Sequence, residues 1–284
     1  MPENLSSPAL HAQLAPDFSL LNIPPRPALL MALQHEMRQV SPNTKKFASL
    51  IRRDVAMSGT LLQTANSAYF NLGRQISTVE DAIILIGLDH CNAIMTGLIL
   101  KRTLGLGNKM MARFWDVSEK RAIGISFLAR GSRTLASEVA YSFGLFCDAG
   151  IPILKAAFPT YLDTLAIANC KPADVAIKLE DSQHGVNHTL VGALLAERWS
   201  ISGDVVLAIR MHHKRDALRD PSLPPAVRSL IALNYLVEKA IQEYRGQAES
   251  LEWVDAGALA SDALRISDAD VGNICEALVK RFRA

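Results

Sequence analysis

The sequence predicts an all-α protein, and three observations support this fold class. Apolar residues recur at three- and four-residue spacing along most of the chain, which is the repeat of helices that bury one face. No segment sustains the alternation of apolar and polar residues that is typical of a strand, and aromatic residues make up only 6% of the chain. With 284 residues, 49% of them hydrophobic, the chain has ample length and apolar content for a buried core.

The N-terminal part predicts a flexible arm followed by a helical lobe. Residues 1–16 are polar and irregular, with no periodicity that could bury a face. Pro24, Pro25 and Pro27 then keep the chain extended, because proline fixes its own φ and disfavours helix in the residue before it. We therefore expect the first helix to begin near Pro27, in a lobe that spans residues 17–107.

Capping signals delimit the helices of this lobe. Ser77 and Glu80 have the spacing of a reciprocal capping box, which would satisfy free N–H groups at the start of a helix over Val79–Ile86. Gly87 would end that helix, and Asp89 would cap the next one. Apolar periodicity predicts the other helices of the lobe around residues 27–37, 47–51, 56–69 and 94–99.

The clearest internal break is the run Leu-Gly-Leu-Gly-Asn at residues 104–108, because glycine and asparagine interrupt helical segments. We place a boundary there, so that residues 108–284 form a second helical bundle that includes the C-terminal helices. A polar loop at 216–225 separates the last three helices from the others. The predicted helices of this bundle span residues 114–130, 135–146, 153–158, 161–168, 173–179, 189–199, 204–212, 226–244, 255–264 and 268–282.

Charge and cysteine usage exclude several classes of protein. The net charge is +2, so neither nucleic acid nor an acidic membrane is an expected partner. The four cysteines have no CxxC spacing, which argues against a disulfide framework and a thiolate zinc site. The N-terminus lacks the basic and apolar segments of a secretory signal, and the most apolar region, 82–100, is interrupted by Asp89 and His90. We expect a soluble protein of the cytoplasm.

Histidines cluster in the second bundle. Four of the seven, His184, His188, His212 and His213, fall within roughly thirty residues. Neutral imidazole is the commonest side-chain ligand of transition metals, and the carboxylate of Asp148 would complete a mixed nitrogen and oxygen site. A different interpretation also holds for His212 and His213, because a cation at a helix C-terminus complements the helix dipole.

Two stretches of the first lobe resemble the signature of the HDOD family. They are the run Asp-Val-Ala-Met-Ser-Gly-Thr-Leu-Leu-Gln-Thr-Ala-Asn-Ser-Ala-Tyr at residues 54–69 and the pattern Ile-Ser-Thr-Val-Glu-Asp-Ala-Ile at 76–83, followed by Ile86 and Gly87. HDOD domains are bacterial regulatory domains related to the HD metal-dependent phosphohydrolases. The resemblance runs from about Ile23 to His213, and it implies an N-terminal helical lobe packed on an HD-like bundle and a role in signalling.

The resemblance also allows the ligand positions of an active HD hydrolase to be checked, and most of them have changed. Val117 stands where the early ligand histidine would be, and Cys147 replaces the histidine of the His-Asp pair. Ile151 replaces a lysine that contacts phosphate, and Asn234 replaces the late aspartate. Hydrolysis should be severely impaired, because these positions supply the metal that activates water and the contact to phosphate.

The residues that survive are Asp148, His188, His212 and His213, which resemble the set that binds the second ion in members with two metals. Two interpretations of this set remain open. We expect the histidines to form hydrogen bonds within a core with no cofactor bound, and the alternative is that the set holds one divalent transition metal ion. We interpret Asn66 and Ser67 as structural, a buried amide and hydroxyl that close a helix end and tie it to the next segment.

These observations predict a non-catalytic regulatory module that acts by binding a signalling protein or a small regulatory ligand, with a nucleotide among the candidates. The alternative is a residual one-metal phosphohydrolase or phosphodiesterase that uses Asp148, His188, His212 and His213. A third hypothesis, suggested by a mean hydropathy of +0.14, is a scaffold that works through an apolar surface as a homodimer or in a complex.

Overall fold

The computed structural model describes residues 21–67, 70, 73, 75–105, 109–130, 132–247 and 251–283. Fifteen α-helices and one 3-10 helix make up the regular structure of these residues, which contain no β-strand. The predicted all-α fold is confirmed. The predicted flexible arm at 1–16 lies outside the described residues.

The chain divides into two compact units. The first unit is Pro25–Leu145, and the second is Phe146–Phe282 together with the segment that ends at Pro24. The predicted boundary at residues 107 and 108 falls inside the first unit, because the helices that follow it pack closely there. A Cβ on Gly144 would lie 2.5 Å from the Cα of Ala122, and a Cβ on Gly97 would lie 2.2 Å from Cδ1 of Leu145.

The first unit is built from seven helices among its described residues. Asn43 and Asp54 cap two of them, since their side chains accept hydrogen bonds from backbone N–H groups of the first turn. Fully buried side chains such as Leu33, Phe47 and Leu61 form the core of this unit. The helices are α1 (Ala28–Met37), α2 (Thr44–Arg52), α3 (Val55–Ala65), α4 (Val79–Ile86), α5 (Leu88–Thr103), α6 (Lys109–Ala129) and α7 (Ser137–Phe146), the last of which ends one residue into the second unit.

The bounds predicted for α4 are confirmed, but the predicted capping residues were wrong by one position. Thr78 is the N-cap, and its hydroxyl oxygen accepts from the N–H of Asp81 at 3.1 Å. Glu80 instead forms an ion pair with Arg52. Thr78 and Asp81 have the same three-residue spacing as Ser77 and Glu80, so spacing alone could not show which pair caps the helix.

Gly87 ends α4, as predicted, with a φ of 86° that favours glycine. The predicted cap at Asp89 was wrong, because α5 begins at Leu88 directly after Gly87 and Asp89 lies within its first turn. The tie made by Asn66 is confirmed: its amide donates to the carbonyl of Ile76 and accepts from the N–H of Ile76, both at 2.8 Å. Asn66 is exposed, however, and was expected to be buried.

The second unit contains eight further α-helices among its described residues. One of them, α10, runs five residues past its predicted end and stops at Gly185, whose φ of 70° is left-handed. The helices are α8 (Gly150–Ala157), α9 (Tyr161–Ala168), α10 (Ala173–His184), α11 (His188–Arg198), α12 (Gly203–Met211), α13 (Pro225–Tyr244), α14 (Leu251–Leu264) and α15 (Asp268–Arg283), with a 3-10 helix at Arg215–Leu218.

Helix α11 is the central element for the site. Its backbone meets the start of α8 so closely that a Cβ on Gly150 would lie 2.1 Å from the carbonyl oxygen of His188 and 2.9 Å from the nitrogen of Gly192. At the other end of α11, the indole of Trp199 donates to the carbonyl of Pro24 at 3.1 Å. These contacts fix both ends of the helix within the unit.

One helical stretch of the described chain, Ser137–Ala157, is long and apolar enough to cross a membrane, and α4 with α5 would form a second only as a span bent by 113°. However, 61% of the apolar window in Ser137–Ala157 is buried inside the protein. Core helices of water-soluble proteins meet the same criterion, so these stretches are weak evidence for a membrane span.

Candidate metal centre

The second unit brings Asp148, His188, His212 and His213 together, with one potential ligand atom of each residue within 4.8 Å of all the others. Asp148 lies in the turn between α7 and α8. His188 is the first residue of α11, and His212 and His213 directly follow α12. The three segments meet because α11 contacts both α8 and α12.

Each histidine ring has an oxygen atom close to its Nδ1 atom. Nδ1 of His188 lies 2.8 Å from Oε1 of Glu180, and Nδ1 of His212 lies 2.8 Å from the carbonyl oxygen of Ile209, both with hydrogen-bond geometry. These two acceptors favour the tautomer with the proton on Nδ1, which leaves the lone pair of Nε2 available to a metal ion. Nδ1 of His213 lies 2.8 Å from Oε1 of Glu252 in an ion pair that lacks hydrogen-bond geometry.

The Nε2 atoms converge with the carboxylate of Asp148. Oδ1 of Asp148 lies 3.4 Å from Nε2 of His212 and 3.7 Å from Nε2 of His188. The Nε2 atoms of His188 and His213 are 3.1 Å apart. With the proton of both rings on Nδ1, the two Nε2 atoms present lone pairs to each other, which repel unless a proton or a cation lies between them. Nε2 of His212 is buried and has no hydrogen-bond partner among the described residues.

The donor set therefore fits a transition metal ion. Three imidazole nitrogens and one carboxylate oxygen suit zinc, iron, manganese or nickel better than magnesium or calcium, which prefer oxygen. Burial, and then repulsion from His213, lower the pKa of His212 to about 4. This ring is therefore neutral at neutral pH, and neutral imidazole is the form that binds metal.

Glu180 holds His188 in place and was not identified from the sequence. Its buried carboxylate accepts hydrogen bonds from the backbone N–H of His188 at 2.8 Å and from the hydroxyl of Tyr161 at 3.1 Å. Burial opposes ionisation of Glu180, but the charge and hydrogen bonds of His188 outweigh it and lower the pKa of the carboxyl group. Carboxylates behind ligand histidines are a common feature of metal sites.

Glu252, on α14, holds the same position behind His213 and was also missed. Burial opposes its ionisation, and His213 outweighs the burial and lowers the pKa of Glu252. The reverse holds for the histidine: burial would lower the pKa of His213, but Glu252 raises it. No sequence pattern connects residues 213 and 252, because only the packing of α14 brings them together.

Cys147 and Asn234, which stand where the resemblance places metal ligands, contact each other. The thiol of Cys147 lies 3.9 Å from Oδ1 of Asn234, within the range of a weak S–H hydrogen bond. Both side chains are buried and uncharged. Ile151 lies in the first turn of α8, and Val117 lies on α6 in the first unit. A thiol and an amide in this arrangement stabilise each other without a metal ion.

His184, the fourth histidine of the sequence cluster, does not belong to the site. Its Nε2 lies 2.9 Å from the hydroxyl of Thr164, and its ring contacts Phe158 with centroids 4.9 Å apart. Burial lowers the pKa of His184. It is a half-buried residue whose contact with Thr164 links α10 to α9.

The fold and the convergent aspartate and histidines define a class, the helical proteins related to HD phosphohydrolases. The family model described as "HDOD domain" matches residues 23–215, well over half of the chain. The chain belongs to the HDOD family, and the family predicted from the motifs at 54–69 and 76–87 is confirmed.

Two curated relatives are similar to parts of the chain. An uncharacterized protein of Treponema pallidum is 25% identical over 214 residues, which are 74% of this chain and 40% of that protein. The uncharacterized protein YuxH of Bacillus subtilis is 28% identical over 98 residues, 34% of this chain and 24% of that protein. The chain thus spans less than half the length of either relative.

Three solved structures have a similar fold. A candidate signal transduction protein from Marinobacter aquaeolei has a TM-score of 0.70 at 22% identity, over 96% of this chain and 62% of that one. An HDOD domain protein of unknown function from Geobacter sulfurreducens has a TM-score of 0.66 at 20% identity, over 90% of this chain and 92% of that one. A candidate phosphohydrolase from Shewanella amazonensis has a TM-score of 0.65 at 20% identity, over 90% of each chain. At these identities the likeness shows a shared fold.

Proposed function

We propose that this HDOD protein is a regulatory module that holds one divalent transition metal ion at Asp148, His188, His212 and His213 and does not hydrolyse phosphodiesters. The observation that carries the proposal is the contrast between the donors that converge and the former ligand positions that hold other residues. Four donors converge, and Nδ1 of both His188 and His212 has a hydrogen-bond partner, whereas Cys147 and Asn234, at former ligand positions, contact each other.

The arrangement of donors supports binding of the ion. A cation between the Nε2 atoms of His188 and His213 removes the repulsion of their lone pairs, and it gives the buried Nε2 of His212 a partner. When bound, the ion supplies a positive charge that connects the turn at 147–149 to α11 and α12. Asp148 and the three histidines would hold it, and Glu180 and Glu252 would orient two of the rings.

The same donors argue against turnover. Four protein ligands fill a tetrahedral zinc site, and catalytic zinc sites keep one position open for water. Ile151 is apolar where the HD hydrolases have a lysine for phosphate, and Val117, Cys147 and Asn234 replace the ligands of the metal that activates water. The centre is therefore proposed to stabilise a binding conformation of the second unit.

Membership of the HDOD family and the similar fold of a candidate signal transduction protein support the regulatory role. The proposed partner is a signalling protein or a small regulatory ligand such as a nucleotide, in the cytoplasm. The second candidate function is a one-metal phosphohydrolase. The fold shared with a candidate phosphohydrolase favours it.

The test combines metal analysis with an activity assay. The protein is purified without chelator, and its metal content is measured by mass spectrometry for the wild type, for a His188→Ala, His212→Ala double variant, and for His35→Ala. His35 is exposed on α1 and serves as the matched control. We expect about one transition metal ion per chain in the wild type and in His35→Ala, and none in the double variant.

Phosphodiester hydrolysis is assayed on the same metal-loaded samples with bis(p-nitrophenyl) phosphate. We expect no turnover above that of the double variant. Metal-free wild type that stays empty after incubation with zinc, manganese or iron contradicts the metal site. Turnover that Asp148→Ala abolishes contradicts the non-catalytic role and establishes the second candidate.

A further inference from the structure

The first unit contains a cavity that no part of the metal centre shares. Its volume is about 330 Å³. Helices α3, α5, α6 and α7 line it with residues at helical spacing, including Ile94, Gly97, Leu98 and Lys101 on α5. Ligand sites in proteins have volumes of about 300–1,000 Å³, so this cavity has the size of a site for a small molecule.

The walls are apolar and carry no net charge. Phe70, Ile94, Ile123 and Leu145 are among its apolar residues. The two charged side chains of the lining, Lys101 and Glu119, form an ion pair with each other. An ionic ligand would lose its hydration in this cavity without gaining an opposite charge, so the lining favours an uncharged molecule.

His90, which also lines the cavity, adds no charge. Its Nε2 lies 3.2 Å from the hydroxyl of Ser137, so the ring already has a polar partner. Burial lowers the pKa of His90, which keeps the imidazole neutral at neutral pH.

A buried hydroxyl of the lining has no hydrogen-bond partner among the described residues. It belongs to Ser126 on α6. Ser118, two turns earlier on the same helix, donates instead to the carbonyl of Phe114 at 3.0 Å. A buried hydroxyl without a partner is costly to a folded protein. Ser126 lines the cavity, so a ligand acceptor that reaches its hydroxyl would supply the missing partner.

We propose that this cavity binds a small, uncharged, largely apolar molecule that carries one hydrogen-bond acceptor, such as a ketone oxygen, for the hydroxyl of Ser126. A cavity of about 150 Å³ holds a single benzene ring. A volume about twice as large accommodates roughly two rings. The HDOD protein would then receive a chemical signal through its first unit, independently of the metal centre in the second.

The probe for the test is prodan, an uncharged naphthalene with one ketone, whose emission shifts to the blue in an apolar site. It is titrated into the wild type, Ile123→Trp and Ile84→Trp. Ile123 lies at the rim of the cavity with 36% of its surface exposed, so tryptophan there fills the cavity from its opening. Ile84 lies on α4, is 76% exposed and does not line the cavity, which makes Ile84→Trp the matched control.

We expect saturable binding of one prodan per chain to the wild type and to Ile84→Trp, and an affinity at least tenfold weaker for Ile123→Trp. Circular dichroism verifies that each variant is folded. No saturable binding to the wild type, or equal affinity of Ile123→Trp and the wild type, overturns the proposal.

Ser126→Ala tests the hydrogen bond without filling the cavity. We expect the prodan affinity to fall about threefold to tenfold, the range for one lost hydrogen bond. The stability of the ligand-free protein should be unchanged or higher, because the variant removes an unpartnered hydroxyl. A structural role for Ser126 would lower the stability instead. Unchanged prodan affinity in Ser126→Ala overturns the assigned acceptor, and a loss of stability overturns the assigned role of the hydroxyl.

Discussion

The carboxylate of Glu180 shows how much a single residue contributes to the candidate metal centre. It contacts the ring and the backbone of His188, and it accepts a hydrogen bond from Tyr161. Glutamine at this position keeps the size of the side chain but has only one oxygen. Its amide nitrogen is a donor, and it would face either the Nδ1–H of His188 or another donor.

We therefore expect Glu180→Gln to weaken zinc binding by about tenfold to a hundredfold, the usual effect of losing a carboxylate behind a ligand histidine. The affinity is measured by competition with a chromogenic chelator. Glu138→Gln is the matched control, because Glu138 lies 3.9 Å from His90 but in the first unit. Equal zinc affinities of Glu180→Gln and the wild type would contradict the assigned role.

Asp54 allows a prediction about pH. Its Oδ1 accepts from the N–H groups of Ala56 and Met57 at 2.9 and 3.0 Å, and its carboxylate pairs with Arg102. The hydrogen bond to Arg102, followed by the backbone N–H of Met57, lowers the pKa of Asp54 from 3.8 to about 2. The ionised carboxylate therefore stabilises the fold above about pH 4, and this stabilisation is lost as the pH falls through about 2.

Asp54→Asn removes the charge but keeps a helix cap, whereas Asp54→Ala removes both. We expect the gap in unfolding free energy between wild type and Asp54→Asn to be constant above about pH 5 and to shrink between about pH 4 and 2. Asp54→Ala should lose about 1 kcal/mol more than Asp54→Asn at neutral pH, the usual value of a cap. Urea unfolding at a series of pH values measures both, and a gap independent of pH would refute the ion pair.

At the scale of elements, the sequence predicted the bounds of some helices well, whereas several capping residues were assigned to the wrong position. The bounds of α4 and α9 match the predicted 79–86 and 161–168. The predicted end of α10 was residue 179. The prediction therefore left Glu180, which contacts His188, outside the helix that carries it. Gly185, with its left-handed backbone, was the available signal for the true end.

The close approach of α8 and α11 leads to a prediction about Gly150. Alanine there would place a Cβ 2.1 Å from the backbone oxygen of His188, so the two helices must separate. We expect Gly150→Ala to lower the unfolding free energy by about 2 kcal/mol or more, in the range of overpacked cores, and to weaken zinc binding.

Gly272→Ala is the control for this variant, because a Cβ on Gly272, inside α15, would meet nothing within 4 Å. We expect this change to raise the stability by about 0.5–1 kcal/mol, since alanine is the better helix former. Urea unfolding of both variants measures the difference. A Gly150→Ala protein as stable as the wild type would show that α8 and α11 do not need this contact.

At the scale of the whole molecule, the sequence predicted two helical parts but divided them at a glycine-rich break. The structure divides the chain within the apolar stretch at residues 145 and 146 instead. Local composition reports where the chain turns, whereas units are defined by contacts such as those of Gly97 with Leu145 and Gly144 with Ala122. The four proposed ligands were identified because the family resemblance includes their positions. Glu252 on α14 lies outside that resemblance and was therefore missed.

This division predicts where each ligand protects the backbone. In hydrogen–deuterium exchange, we expect zinc to slow exchange mainly in peptides from α8, α11 and α12, and prodan to slow exchange mainly in peptides from α5 and α6. Local openings are suppressed where a ligand binds. Zinc protection concentrated in α5 and α6 would place the metal elsewhere than at Asp148 and the histidines.

The contact between Cys147 and Asn234 couples the two positions. Histidine at position 147 would press a larger ring against the amide of Asn234, and aspartate at position 234 would bury a charge beside a thiol. Residues in contact do not contribute independently to stability, so the effect of exchanging both residues should differ from the sum of the two single exchanges.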